Sequence, residues 1–220
     1  ESKAAFLPRF FKTGKGEYGE GDQFIGVVVP NLRIVAKKHF DADFDTLREL
    51  LASPYHEYRL TALLALTYRY AKLKDHTSRE TCVNFYVSQV DAINNWDLVD
   101  HSCYKILGHW LFDKDKQLLY DWAKENHLWK QRIAMISCMH FVKQGEFKDA
   151  LAIADLLQHH PHDLIHKAVG WILREIGKED EQLLVDYLTP RYKEMPRTML
   201  RYAIERFEEE KRKAFLNSTI

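Results

Sequence analysis

The chain has 220 residues, 46% of them hydrophobic and 29% charged, which suits one sizeable core or one continuous helical array. Its 32 Lys and Arg balance its 32 Asp and Glu, and this formal charge of zero argues against a nucleic-acid binder that works by overall charge, leaving local charge to decide. No run approaches the roughly 18 apolar residues that span a bilayer, and the start lacks a signal-peptide pattern, so the expectation is a cytoplasmic protein without membrane contact.

In chain order, the first stretch, AAFLPRFFKT, has helical character. Residues 13–22 follow, rich in Gly, and Gly14-Lys15-Gly16-Glu17-Tyr18-Gly19 matches the dinucleotide fingerprint G-x-G-x-x-G. That fingerprint requires a preceding strand and a βαβ unit. Neither surrounds it, so nucleotide binding is rejected and the glycines are expected to form a flexible connection to a helix beginning near Pro30.

Beyond residue 44 one pattern recurs: a short helix, a polar or proline break, then a second apolar helix. The copies are DTLRELLASPYHEYRLTALLALTYRY from Asp45, KQLLYDWAKENHLWKQRIAMISCMHFV from Lys116, DALAIADLLQHHPHDLIHKAVGWILREIG from Asp149 and EQLLVDYLTPRYKEMPRTMLRYAIERF from Glu181. Basic residues near the head of the second helices, Arg59, Arg132, Lys167 and Arg197 or Arg201, recur at roughly 35 residues, with one double interval. The missing copy is CVNFYVSQVDAINNWDLVDHSCYKILGHWLF, where Trp96 and Asp100 replace the basic residue. A period of this size built from helix pairs predicts an all-α HEAT-like or armadillo-like solenoid forming a single domain over residues 1–220. Second helices line the concave face of such a stack. The recurring cations are therefore expected to form a basic groove there, although any one of them can equally cover a helix end with its aliphatic stem.

Three stretches carry candidate chemistry. In Asn94-Asn95-Trp96-Asp97-Leu98-Val99-Asp100, Asn94 or Asn95 can cap a helix, Asp97 suits its first turn, and Trp96 and Asp100, four apart, share a face. Read as structure alone, that Trp is a core anchor and Asp100 a solvated charge. Lys167-Ala168-Val169-Gly170-Trp171-Ile172-Leu173-Arg174-Glu175 places Gly170 mid-helix, a loss of about 1 kcal/mol relative to Ala, which implies close packing at that point. Trp171, Arg174 and Lys167 can share a face there. His159, His160, His162 and His166 lack an accompanying H-E-x-x-H motif and are expected to form a polar turn in which Pro161 leads into the next helix, so no metal is expected. Cys82, Cys103 and Cys138 form no C-x-x-C and suit buried reduced thiols.

The stretches at Trp96 and Lys167 resemble the W-D-x-V-D and K-A-[IV]-G-W-x-L-R-E motifs of the AlkD-like DNA alkylation repair family. Between them Trp129-Lys130-Gln131-Arg132 resembles its W-x-x-R, and Phe24-Ile25-Gly26-Val27 with Pro30 and Arg33 resembles its F-x-G-[IV]-x-x-P-x-x-R; the matches run in order over residues 24–175. The resemblance implies a monofunctional DNA glycosylase that removes positively charged N3- and N7-alkylated purines from double-stranded DNA without a cofactor and as a monomer. It maps Trp96, Asp100 and Trp171 onto a catalytic cluster and Arg132 and Arg174 onto phosphate contacts, with the lesion left stacked in an open groove. With Arg59, Lys167, Arg197 and Arg201 these form the expected DNA-binding set. The other reading is a non-catalytic solenoid that binds DNA or a protein partner, because a helical-repeat fold alone does not decide function.

Overall fold

The computed structural model describes residues 3–220, and its described secondary structure is helical apart from one isolated bridge between Gln23 and Tyr55. Helix α1 (Lys3–Phe10) carries Pro8 and gives way to an irregular segment over residues 11–28. Helix α2 (Val29–Lys38) opens with Pro30 in its first turn, where a missing N–H removes no helical hydrogen bond. Then come α3 (Phe44–Leu51), α4 (His56–Lys72), α5 (His76–Ser88) and α6 (Trp96–Cys103). Side chains satisfy the first amides of three of these: Asp43 accepts from the Thr46 amide at 2.7 Å, Asp75 from Ser78 at 2.8 Å and Asn95 from Trp96 at 2.8 Å. Helix α6 runs on through a π-helical turn, Tyr104–Gly108, into α7 (His109–Leu111).

The second half repeats the theme with α8 (Gln117–Lys124), α9 (Leu128–Ser137), α10 (Met139–Val142), α11 (Lys148–Leu157), α12 (Asp163–Glu179), α13 (Glu181–Leu188), α14 (Arg197–Ala203) and α15 (Glu209–Asn217). The helices expected from the sequence are present, and α3 packs on α4, α8 on α9 and α11 on α12, while α5 meets the π-helical turn after α6 and α13 and α14 both pack on α12. The fold is all-α and of the helical-repeat kind. The chain divides into two compact units, Glu1–Trp110 and Leu111–Ile220.

In the first unit α4 is central and packs against α2, α3 and α6. It buries Leu60, Leu63, Leu64 and Tyr70, whose spacing turns one broad stripe inward. In the second unit α12 holds this place against α9, α11, α13 and α14. Its inward residues Ile165, Ala168, Val169, Ile172, Leu173 and Ile176 are wholly buried, and complete burial of each branched side chain contributes about 1.5–3 kcal/mol. Gly170 lies on this helix where α14 comes closest. A Cβ there would stand 2.5 Å from the Tyr202 Cβ and 2.6 Å from the Met199 carbonyl oxygen, so the close approach expected from the sequence is real. Cys82, Cys103 and Cys138 are buried and form no disulfide. No described helix is long and apolar enough to cross a membrane.

Candidate active site

The helix start at residue 95 determines what α6 presents. Asn95 accepts from the amide of Trp96, which makes Trp96 the first helical residue and Asp100 its neighbour one turn on. Both side chains are half-buried. The Trp96 indole stacks on Phe11 at 5.4 Å between centroids, 20° from parallel, and meets Phe10 edge-on at 5.8 Å, arrangements suited to the ring quadrupoles. The charge of Asp100 is felt by the phenols of Tyr86 and Tyr104; burial, the larger cause, and this charge both push their pKa values up. A cavity of about 350 Å³ opens beside Trp96, with Phe10, Phe24, Asp97 and His101 among its walls.

Asp97, a wall of that cavity, also belongs to a buried ionic cluster that sequence reasoning missed. Its Oδ2 accepts from His56 Nε2 at 2.8 Å, while His56 Nδ1 donates to Asp22 Oδ2 at 3.1 Å. Arg59 adds a bond from Nη2 to Asp22 Oδ1 at 2.6 Å and another from Nη1 to the Ser53 carbonyl at 3.0 Å. Phe11 and Phe24 lie against the His56 ring at 4.7 and 4.9 Å, where their faces favour a cation. Burial alone would lower the His56 pKa, but its bonds to Asp22 and Asp97 outweigh that and raise it to about 9. Burial likewise opposes the charge on Asp22, yet the hydrogen bond from His56 and the charge of Arg59 hold its carboxyl below the usual range.

The consequence for stability has a definite sign. His56 titrates higher in the fold than its ordinary value of 6.5, so its contribution is complete below pH 6.5 and is lost as pH rises through about 9. Asp22 is shifted down, so its contribution is present above the ordinary carboxylate value and lost as pH falls through the lowered one. Denaturant unfolding of the wild type and of His56→Gln should therefore differ most near pH 6 and converge toward pH 9.5. A gap that stays constant over that range would show that His56 is not an imidazolium in the fold.

The glycine-rich stretch is no mere connection. Gly19 comes so close to the end of α1 that a Cβ would stand 2.5 Å from the Phe11 carbonyl oxygen, and three residues later Asp22 enters the cluster. Further along, Gly26 has φ +87°, and its amide and that of Ile25 donate to the buried Glu57 carboxylate at 2.8 and 3.2 Å. Arg33 reaches His101 on α6 with Nη2 3.5 Å from Nδ1. Asp22 had a sequence signal only in hindsight, as an acid among glycines facing the buried pair His56 and Arg59.

The remaining candidates take different places. Arg59, expected in the groove, is 5% exposed and bonded within the cluster. It is the fourth residue of α4, whereas Asp100, Arg132, Lys167 and Arg201 are each the fifth residue of their helices; one residue is 100° of helix rotation. In the second unit Arg132 is 4% exposed and donates from Nη1 to the Leu164 carbonyl at 2.5 Å. Lys167 pairs with Asp163 at 2.7 Å, and Arg174 with Glu205 and Glu175. Arg197 and Arg201 are exposed, Arg197 donating to the Leu216 carbonyl at 2.9 Å. Trp171 is half-buried on α12, four residues after Lys167. Of the histidines, His162 caps α12 by accepting from the Leu164 amide at 3.1 Å, and His160 bonds Gln131 at 2.9 Å. Among the described residues no group of His, Cys, Asp and Glu is placed to hold a metal ion.

The fold is shared with a solved structure, a predicted DNA alkylation repair enzyme from Enterococcus faecalis. The similarity covers 94% of this chain and 95% of that one, with a TM-score of 0.71 and 14% sequence identity. No curated protein matches the sequence. The sequence model described as DNA alkylation repair enzyme matches residues 1–207. This chain thus belongs to the DNA alkylation repair enzyme family.

Proposed function

We propose that the protein is a DNA glycosylase that hydrolyses the N-glycosidic bond of positively charged N3- and N7-alkylated purines in DNA. The observation that carries this reading is the pair on α6: an indole and a carboxylate one helical turn apart, both partly open to solvent. An alkylated purine already bears positive charge, so when its bond to the sugar C1′ breaks, the bonding electrons neutralise the base and no general acid is required. Positive charge then grows on the sugar. Asp100 stabilises that charge and orients the water that adds to C1′ and releases one proton to solvent, while the face of Trp96 favours the cation by about 0.5–2 kcal/mol. The family resemblance assigns a second such face to Trp171, half-buried on α12 of the second unit. Neutral lesions, which need a leaving-group acid, are excluded by the same chemistry.

For DNA contacts, exposed Arg201 and Arg197 can meet phosphates directly, and Lys167 and Arg174 by exchanging surface ion-pair partners, pairs that are individually worth about 0–1 kcal/mol. Arg132 and Arg59, both buried, serve by holding the helix starts in place. The test is base release from methylated double-stranded DNA, with products identified by mass. Liberated N7-methylguanine or N3-methyladenine is expected. Protein that binds this DNA but releases neither base is instead a non-catalytic binding solenoid.

A further inference from the structure

We propose that His56 is a positioning residue for Trp96, holding the first turn of α6 by a carboxylate on one side and an aromatic ring on the other; this rests on the glycosylase reading above. Two independent routes lead from the imidazole to the indole. Along the chain, Nε2 donates at 2.8 Å to Asp97, the residue next to Trp96. Through space, Phe11 touches His56 at 4.7 Å and stacks on Trp96 at 5.4 Å, so one ring spaces the other two. His56 is itself fixed by a bond from its second nitrogen to Asp22, and Asp22 is held by Arg59 and, at 3.4 Å, by Asn95, the cap of α6. Asn95, Trp96 and Asp97 are thus tied to the cluster in sequence, and all but Trp96 are buried. A half-open indole on the first turn of a helix has rotamer freedom that a catalytic face cannot tolerate, and a rigid supporting shell removes it.

His56→Gln keeps a donor for Asp97 but loses the donor on the opposite side, toward Asp22, and the ring that Phe11 and Phe24 pack against. With tryptophans replaced by 5-fluorotryptophan, the Trp96 fluorine resonance should shift or broaden in His56→Gln while that of Trp171 stays in place. The single-turnover excision rate per DNA-binding-competent molecule should fall about tenfold, with DNA affinity within twofold of wild type. A folded variant with an unmoved Trp96 resonance, or with the wild-type rate, overturns the proposal. Should His56→Gln fail to fold, Asp97→Ala removes the acceptor for Nε2 and is read in the same way: a moved resonance supports the proposal and an unmoved one overturns it. The fluorine signal needs no turnover, so a wild type that excises nothing sinks the glycosylase reading while the resonance still decides the role of His56.

Discussion

Asp100→Asn is expected to lower the single-turnover excision of N7-methylguanine about 100-fold, or about 2.7 kcal/mol in the barrier, with thermal stability and DNA affinity near wild type. Asn keeps the size of the side chain and an acceptor oxygen but removes the charge, so it isolates electrostatic stabilisation of the sugar cation. Asp100 is half-buried on α6, and Asn is close to it in size, so the substitution needs little repacking. If Asp100 were only a surface charge on the helix, its loss would leave the rate per folded molecule unchanged. Rapid-quench measurement under protein excess decides between the two, because product release does not enter. A wild-type rate in that assay removes Asp100 from the chemistry.

Asp22→Ala should destabilise the fold by about 3–5 kcal/mol, the range for removing one partner from a buried ion pair. The loss leaves the His56 and Arg59 cations together in a site where both are at most 5% exposed, with Asp97 as the remaining counter-charge. Against a total stability of about 5–15 kcal/mol for a domain, that is a large fraction. Urea denaturation at pH 7 measures it. A residue in a simple connecting loop would change stability by no more than about 0.5 kcal/mol, and a value that small would show that the cluster does not form.

The helix pairs were legible from local signals: apolar residues three and four apart, Asn94 or Asn95 as the cap of α6, and a Gly170 that only close packing explains. Trp96, Asp100 and Trp171 were identified by resemblance to family motifs rather than by anything periodic. The ionic cluster next to Trp96 was not legible. Asp22 meets His56 across 34 residues and Asn95 across 73, separations at which no sequence window reports pairing. Its neighbours Gly19 and Gly21 also mark the stretch as a connection. Arg59 misled for a related reason: near the head of a second helix it matches the cations of the other repeats by eye, yet it is buried against Asp22, just as Arg132 is buried against the Leu164 carbonyl.

The span between Asp22 and Asn95 also orders events on the ribosome. At about 5–20 residues per second, Asp22 emerges some 4–15 s before the cap of α6 that it will hold. Helices α2, α3 and α4 can close on one another in that interval, because their contacts are local. The segment around Asp22 cannot complete its docking until α6 is made. The segment around Asp22 is thus among the last of its unit to reach its final partners, and the proposed catalytic helix is the template on which it settles.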